Sequence, residues 1–332
     1  MSVHISTKEI KSKRTNYAYV GRRIGHDKPA SRYQEAVYDV QPTSNFHYPP
    51  TWDKDRELYD VRNTSVVMED WYAFTDPRQY YYSSYVIARA KQQESMDNNF
   101  KMAEKHKMLL SMPDNLKNLI KKILTPLRHF EYGANMNNQD ICDRGYGAAI
   151  TSLASLNGFD RIGMSQYLSK IALILDENEE TGLDQAKTDW LDEPMWQGLR
   201  HAMEDSFVLD DWFEIMVAQN VVMDGLIFPL IYNCFITELS QQGGTAMPLL
   251  TQFMNDWYAE NIRWTNQLIK VVSAENDENN ALLSAWVKQW SERIEIALVP
   301  IATTALGDNG VRKLTEVKTE LLTRLAKQGL KV

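Results

Sequence analysis

The stretch of residues 221–235, "VVMDGLIFPLIYNCF", is apolar at almost every position and therefore has no polar face. A helix that is apolar all round is stable only when other elements surround it, as in the core of a large domain. Its one ionised residue, Asp224, must be paired with a base or protonated. This stretch requires a chain that builds further layers of structure around it.

The chain supplies such layers as a succession of helical patterns, with no strand-type alternation of any length. Its 332 residues include only 15 glycines and 11 prolines, a composition that suits helices. Asp76 is a candidate N-cap for a helix that runs to Pro113. The next predicted helix continues past a kink at Pro126 to a stop at Asn157 and Gly158. We predict an all-α fold, a large helical bundle.

Residues 1–55 differ from the rest because they carry prolines and many aromatic residues without a helical period. Disordered tails are usually poor in aromatic residues. We therefore predict an extended N-terminal arm over residues 1–55 that wraps a partner, followed by a single large helical domain over residues 56–332. The candidate aromatic anchors at the partner interface, which are otherwise ordinary core or surface residues, are Trp52, Trp71, Tyr80, Tyr81 and Tyr82.

Charge and composition bear on the kinds of partner and on the compartment. The formal net charge of −8 argues against nucleic acid, which requires a basic face. We expect no membrane span, because no run of about 18 apolar residues is present, and the start "MSVHISTKEIKSKRTNY" has no apolar core of a signal peptide. Cys142 and Cys234 have no CxxC spacing and fall in helical patterns, so we expect reduced thiols and a cytoplasmic protein.

One later helix has the appearance of a metal site. In "FMNDWYAENIRWTNQ", residues 253–267, Asp256 and Glu260 are four apart and share a helix face. A four-helix bundle can hold two irons with one glutamate from each of two helices and a Glu-x-x-His pair from each of the other two. None of the six histidines completes such a pair, and the reversed pair His201-x-x-Glu204 has the spacing of an ordinary surface contact. We predict no catalytic and no metal-binding residues in this chain.

The remaining acidic residues have structural explanations. Asp210, Asp211 and Glu214 cluster at a helix start, where carboxylates complement the helix dipole. Asp224 is expected to cap a neighbouring helix or to pair with a basic side chain, and the alternative is a relic of a metal site. No glycine-rich phosphate loop and no G-x-S-x-G motif is present.

Three segments of the helical region read "RHFEYGANMNNQDICDRGYGAAITSLASLNGFDRIG", "DDWFEIMVAQNVVMDGLIFPL" and "MNDWYAENIRWTNQL". They resemble the β subunit of the hydroxylase component of bacterial multicomponent monooxygenases, in the phenol hydroxylase and toluene monooxygenase branch. The resemblance implies a ferritin-like, ribonucleotide-reductase-like bundle without metal. It also implies an (αβγ)2 hydroxylase whose α subunit carries a di-iron centre, an effector protein, and a reductase that uses NADH, FAD and an iron–sulfur centre. This chain would then be a non-catalytic structural or regulatory subunit in aromatic, and specifically phenol, hydroxylation.

The same resemblance assigns former ligand positions to four helices. The first helix would offer Asn137 or Gln139, the second Tyr167 and Lys170, the third Asp224, and the fourth Trp257 and Glu260. We hypothesise that the ammonium of Lys170 lies beside Asp224 or Glu260 and replaces the metal charge with an ion pair.

Two other functions remain open from the residues alone. One is a stand-alone enzyme with a carboxylate-only metal site made of Asp224, Asp256 and Glu260. The other is a helical adaptor unrelated to oxygenases. Metal analysis of the isolated chain tests the first, and co-purification with an α chain that carries Glu-x-x-His pairs excludes the second. If the chain is a permanent subunit, we expect it to be poorly soluble alone, because its bare interface is an exposed apolar patch.

Overall fold

The computed structural model describes residues 16–332, and every regular element within that range is a helix. The predicted all-α fold is confirmed. The first six helices are α1 (Ala18–Ile24), α2 (Arg32–Val37), α3 (Tyr82–Lys105), α4 (Asp114–Ile123), α5 (Leu127–Arg144) and α6 (Ala148–Leu175). The others are α7 (Thr181–Asp192), α8 (Pro194–Ser206), α9 (Trp212–Gln241), α10 (Met247–Leu250), α11 (Gln252–Glu275), α12 (Asp277–Leu306) and α13 (Gly310–Ala326). Residues 1–15 of the predicted arm, with His4, lie outside the described residues.

Four helices surround the centre of the domain. Helices α5 and α6 form a closely paired antiparallel hairpin, α5 also packs on α9, and α9 packs on α11. Helix α12 covers the opposite side of α9 and in turn contacts α8 and α13. The core thus consists of a four-helix unit with a second layer on one side.

Helix α9 is the apolar helix that needs surrounding layers, and nearly all of its residues are buried. The acidic cluster lies at the start of α9 as predicted, and within it the Asp211 side chain caps the helix by accepting hydrogen bonds from the backbone N–H groups of Phe213 and Glu214. Among the described helices, α9 is also the one long and apolar enough to cross a membrane. In the fold, the apolar surface of α9 is covered by the neighbouring helices. Core helices of other proteins that are as long and as apolar are buried in the same way.

Helix α9 is not a regular α-helix along its whole length. Two π-helical segments, Val217–Met223 and Pro229–Phe235, flank the α-helical turn that begins at Asp224. Pro229 lacks the backbone N–H that an α-helix requires at that position, and the hydrogen-bond pattern changes there.

The predicted start of the first long helix is wrong. Helix α3 begins at Tyr82, not at Asp76. The Asp76 carboxylate instead accepts the backbone N–H of Arg78 and pairs with its guanidinium at 3.0 Å, in a local turn. Gln79 has a φ of 54°, in the left-handed region, so the chain cannot run as a helix from Asp76 into α3.

The predicted helix from Pro113 to Gly158 is also wrong, because the chain forms three helices there. Breaks occur around Pro126 and at residues 145–147, whereas Asn157 and Gly158 lie inside α6. Gly158 marks the close approach of α6 to α5: a Cβ atom there would lie 2.2 Å from Nε2 of Gln139. The glycine serves packing between two helices and does not end one.

The described part of the predicted arm contains α1 and α2 between stretches of irregular backbone. Arg23 in α1 donates to Asp70 at 2.6 Å, and the hydroxyl of Tyr33 in α2 accepts the backbone N–H of Asp76 at 2.8 Å. These contacts attach residues 16–55 to the start of the helical domain. The wrapping of a partner by this segment stays a prediction.

Candidate functional site

The centre of the four-helix core holds a guanidinium between two carboxylates. Arg161 on α6 donates from Nη1 to Glu131 on α5 at 3.0 Å, and from Nη2 to Asp224 on α9. None of the three side chains has any exposed surface. The buried acid of α9 is therefore paired with a basic side chain, as the first of the two alternatives for Asp224 proposed.

Aromatic rings enclose the same guanidinium. Its carbon lies 4.2 Å from the ring centroid of Trp257 on α11 and 5.3 Å from that of Phe228 on α9. A cation over the face of a buried indole is stabilised by the negative face of the ring. Arg161 of α6 is thus held by groups from the other three core helices: a carboxylate of α5, a carboxylate and a ring of α9, and a ring of α11.

Amide side chains extend the cluster across the core. Gln219 donates to the Asp224 carboxylate at 3.0 Å, and Asn137 donates to Gln219 at 3.0 Å and to the Ser206 hydroxyl at 2.8 Å. All of these groups are buried. Buried polar groups are tolerated when they are hydrogen-bonded to one another, so this chain of amides allows an ionic cluster to exist inside an apolar bundle.

The cluster contains one cation and two acids, and its protonation follows from that. Burial raises the pKa of Glu131 to about 7, against the opposing effect of Arg161. Burial also raises the pKa of Asp224, although Arg161 and Gln219 oppose the rise. The pKa of Arg161 is raised because the two carboxylates outweigh its own burial. The cluster is electrically neutral when one carboxyl group carries a proton, and Glu131 is the better site because Asp224 already accepts an N–H from Gln219.

A second cluster lies next to the first, closer to the surface. The Arg89 guanidinium binds both carboxylate oxygens of Asp160 at 2.8 Å and donates to Glu260 at 2.9 Å. Asp160 also accepts the Tyr85 hydroxyl at 2.8 Å and the indole N–H of Trp257 at 3.0 Å. Trp257 thus connects the two clusters, since its ring faces Arg161 and its N–H reaches Asp160. Asp160 and Glu260 therefore each accept hydrogen bonds from an arginine and from neutral donors.

The hypothesis about Lys170 is wrong. Its ammonium lies 3.5 Å from the Glu104 carboxylate and 4.5 Å from the ring centroid of Phe100, and its side chain is 42% exposed. Lys170 is nine residues beyond Arg161 on α6, which is two and a half helical turns, so the two side chains point to opposite faces. The cation beside Asp224 is Arg161.

The other predicted positions are divided between the core and its periphery. Asp224, Trp257 and Asn137 belong to the first cluster, and Glu260 belongs to the second. Gln139 is half-buried beside Gly158 on the hairpin, and the hydroxyl of buried Tyr167 bonds to Gln93. The four helices assigned from the resemblance are those of the core, but the register within α5 and α6 differs from the assignment.

The residues at the centre do not fit a di-iron site. An arginine keeps its charge in proteins and offers only donors, so its guanidinium repels a metal cation from the two carboxylates it binds. Within residues 16–332 no group of three or more histidine, cysteine, aspartate or glutamate side chains could hold a metal ion. Asp256 is exposed, whereas Asp224 and Glu260 are bound to different arginines, so the proposed carboxylate-only set is not brought together.

The reversed His201-x-x-Glu204 pair and the two cysteines, also considered from the sequence, are not part of either cluster. Glu204 pairs with Arg200 at 2.8 Å, and His201 is exposed. Cys142 and Cys234 are free and partly buried.

The predicted anchor residues fall into two groups. Trp71 is buried and packs against the ring of Trp212, with a centroid separation of 5.4 Å, so it belongs to the core of this chain and not to an interface. Tyr80 and Tyr81 are partly buried. Tyr82 and Trp52 are exposed, at 78% and 46%.

Arg161 and Glu131 were missed by sequence reasoning, although α6 carries a signal for the arginine. Of its 28 residues only Asp160, Arg161 and Lys170 are ionised, and the first two stand in the middle of an apolar stretch. An arginine with apolar neighbours on both sides of the helix must be buried and paired. Glu131 shows no comparable signal, because its surroundings in α5 are mixed.

An all-helical four-helix core, with arginine–carboxylate clusters at its polar centre, defines the class: a ferritin-like bundle, as predicted. The chain belongs to the methane/phenol/alkene hydroxylase family, whose model matches residues 49–276. The predicted resemblance to hydroxylase β subunits of bacterial multicomponent monooxygenases is thereby confirmed.

Individual relatives agree with this assignment. The chain is 47% identical to phenol 2-monooxygenase, oxygenase component DmpL, of Pseudomonas sp. (strain CF600), over 100% of this chain and 99% of the relative. It is 23% identical to the hydroxylase component subunit beta of the toluene-4-monooxygenase system of Ectopseudomonas mendocina, over 95% of each chain. Its fold matches the crystal structure of xenon-pressurised phenol hydroxylase from Pseudomonas sp. OX1, with a TM-score of 0.94, 41% identity and 99% coverage of both chains.

Proposed function

We propose that this chain is a non-catalytic, structural or regulatory β subunit of the hydroxylase of an NADH-dependent phenol monooxygenase. It scaffolds a separate α subunit that carries the di-iron centre. The names of its relatives support this proposal, since they are oxygenase or hydroxylase components of phenol and toluene monooxygenases.

The observation that carries the proposal is the guanidinium of Arg161 between Glu131 and Asp224. In a metal-binding bundle of this architecture, carboxylates converge on cations from opposite helices. Here the same convergence is directed at a fixed organic cation that cannot bind dioxygen or change its oxidation state. The arrangement gives the centre of the bundle an ion-pair network in place of a metal-binding or redox-active group.

The proposal includes the rest of the assembly. The partners are α and γ subunits in an (αβγ)2 hydroxylase, an effector protein, and a reductase with FAD and an iron–sulfur centre that takes electrons from NADH. Di-iron then belongs to the α subunit, and the whole system works in the cytoplasm on phenol or a related aromatic compound. Neither nucleic acid nor a membrane is a partner in this account.

Reconstitution tests this function. The α and γ chains are expressed with and without this chain, and phenol turnover is measured with reductase, effector and NADH. We expect turnover to fall at least about tenfold when this chain is omitted. An assembled hydroxylase that contains Glu260→Gln should turn over within about twofold of wild type, because Glu260 serves an arginine and not a metal. A loss of about 100-fold or more with intact assembly would show that this chain takes part in the chemistry.

A further inference from the structure

An extended segment, residues 64–69, crosses the ends of three helices. It lies between two short 3-10 turns, Val61–Asn63 and Trp71–Ala73. The side chains of its three even-numbered residues are buried, and those of its three odd-numbered residues are exposed. This alternation is the period of extended backbone. We call residues 64–69 the strap.

The backbone N–H groups of the odd-numbered residues of the strap donate to side chains at helix ends. Ser65 donates to Oδ2 of Asp211, at the start of α9, at 2.6 Å. Val67 donates to Oδ1 of Asn279, in the first turn of α12, at 3.1 Å. The Asn279 amide in turn donates to the Val67 carbonyl at 2.8 Å. The strap is thus hydrogen-bonded to two helices through alternate residues.

The third N–H group of this row contacts a third helix. Glu69 donates from its backbone to Oε1 of Glu275, the last residue of α11, at 2.7 Å. An extended segment makes no hydrogen bonds within itself, so its backbone groups require acceptors on other elements. The position of the strap therefore depends on side chains of α9, α11 and α12, and the strap links the ends of these three helices.

Asp211 connects the strap to the cap of α9, because its two carboxylate oxygens have different partners. Oδ1 accepts the backbone N–H groups of Phe213 at 2.9 Å and of Glu214 at 3.3 Å, and so caps the helix. Oδ2 accepts the N–H group of Ser65. Because both oxygens belong to one planar carboxylate, a movement of the strap changes the geometry of the cap.

The other end of the strap is attached to the N-terminal arm. Asp70 follows the strap directly, and its carboxylate accepts hydrogen bonds from the Arg23 guanidinium of α1 at 2.6 Å and 3.0 Å. Asp70 also accepts the backbone N–H of Tyr72 at 3.0 Å, and the guanidinium carbon of Arg23 lies 4.9 Å from the ring centroid of Tyr72. Arg23 therefore holds the end of the strap in place from the arm.

We propose that the strap is a conformational device that couples the N-terminal arm to the start of α9. The arm, the strap and the cap of α9 open together as one local unit, below global unfolding. While Arg23 binds Asp70, the strap lies on the helix ends and Asp211 caps α9. When the arm moves away, the strap loses its fixed end, and its N–H groups separate from their acceptors.

This inference goes beyond the proposed function, because it concerns the arm and the helices of this chain alone. A ligand that displaces the arm would release the start of α9, the helix that carries Asp224, and one that holds the arm would keep α9 capped. Such a ligand shifts the equilibrium between two states of the strap only as far as its affinities for them differ.

Hydrogen exchange of the full chain at low protein concentration tests the coupling, read on peptides that cover residues 64–70 and 211–216. Arg23→Gln removes the cation that holds Asp70, and we expect exchange of both peptides to become about tenfold faster. Arg62→Gln is the matched control, because Arg62 also lies beside the strap but pairs with Asp60. We expect the control to change exchange about twofold or less.

Asp211→Asn tests whether the coupling passes through this carboxylate. Asparagine is as good an N-cap as aspartate, but it has one oxygen and cannot serve both the cap and the N–H of Ser65. In the Asp211→Asn background, Arg23→Gln should therefore accelerate the exchange of residues 211–216 only about threefold or less.

Three results would overturn the inference. The first is unchanged exchange of the strap in Arg23→Gln, and the second is faster exchange of the strap without faster exchange of residues 211–216. The third is an equal effect of Arg62→Gln, which would show that the effect is not specific to the arm. A full tenfold effect of Arg23→Gln in the Asp211→Asn background would assign the coupling to other contacts and overturn the role of Asp211.

Wild-type exchange in low, non-denaturing concentrations of urea gives a second measurement that does not depend on a variant. If the strap and the start of α9 belong to one unit, their slowest amides should converge on a single opening free energy as urea is added. Opening free energies that stay separate up to the global transition would contradict the proposed unit.

Discussion

The most unusual residue of this bundle is Arg161, a fully buried arginine at its centre. A fully buried guanidinium costs several kcal/mol to remove from water, and it is retained only because two carboxylates, an indole and a phenyl ring surround it. Removal of one partner from such a group leaves an unpaired charge in the core. The consequences for stability are therefore larger than for an exposed ion pair.

Replacement of Arg161 by methionine tests this directly. The variant Arg161→Met leaves Glu131 and Asp224 buried without a cation, and we expect the free energy of unfolding to fall by about 3–5 kcal/mol. The control is Arg312→Met, which removes an exposed pair with Glu316 and should cost no more than about 0.5 kcal/mol. Urea denaturation at low protein concentration measures both. Equal urea midpoints for Arg161→Met and Arg312→Met would contradict the buried ion pairs described for Arg161.

The protonation of Glu131 predicts a dependence of stability on pH. Its pKa is raised from 4.5 to about 7 in the folded chain, mainly by burial. The folded state therefore binds this proton more tightly than the unfolded state, so the contribution to stability is complete below pH 4.5 and is lost as the pH rises towards 7. Glu131→Gln is neutral at every pH and lacks this loss.

We expect wild type to lose about 2 kcal/mol more than Glu131→Gln between about pH 5 and pH 8, since each unit of pKa shift corresponds to about 1.4 kcal/mol. The measurement is a series of urea denaturations across that range. The prediction is contradicted if the two proteins show parallel stability profiles.

At the scale of elements, close helix packing depends on a few glycines. Gly198 of α8 lies where α8 crosses α12: a Cβ atom there would lie 3.0 Å from the Cα atom of Ala297, which is backbone and cannot swing away. Gly163 of α6 is also inside a helix but has nothing within 4 Å of its Cβ position. The same substitution should therefore have opposite effects at the two positions.

We expect Gly198→Ala to lower the free energy of unfolding by about 1–3 kcal/mol, because the two helices must separate. Gly163→Ala should raise it by about 0.5–1 kcal/mol, because alanine favours the helix and meets no clash. The measurement is the shift of the urea midpoint of each variant at low protein concentration. A stabilised Gly198→Ala, or a destabilised Gly163→Ala, would show that the helix packing is described wrongly.

The elements also show how far the sequence predicts this fold. The apolar run of α9 and the periodic patterns were sufficient for the all-helical class, because helical period and burial are local properties. Asn157 and Gly158 were misread as a stop, because the reason for Gly158 is a contact with Gln139 on another helix. The cation beside Asp224 was assigned to Lys170 instead of Arg161 for the same reason. The face of α6 that points inward is set by packing on α5 and α9, and not by spacing within α6.

At the scale of the whole molecule, exposed apolar side chains on the α5–α6 hairpin predict the behaviour of the chain alone, since Tyr132, Met136 and Phe159 are 57%, 42% and 57% exposed. Exposed apolar surface favours self-association in water. We expect the chain expressed without its partners to aggregate, as judged by light scattering after size-exclusion chromatography, and to become soluble on co-expression with the α and γ subunits. A monodisperse monomer with a sharp thermal transition would contradict this expectation.

The central claim is that a guanidinium stands at the centre of this bundle, in the place where the proposed α subunit would hold its metal. Anomalous scattering at the iron absorption edge, in crystals of the assembled hydroxylase, tests it most directly. The account predicts no anomalous peak among Glu131, Arg161 and Asp224, with the iron signal confined to the proposed α subunit. A pair of metal peaks inside this chain would contradict it.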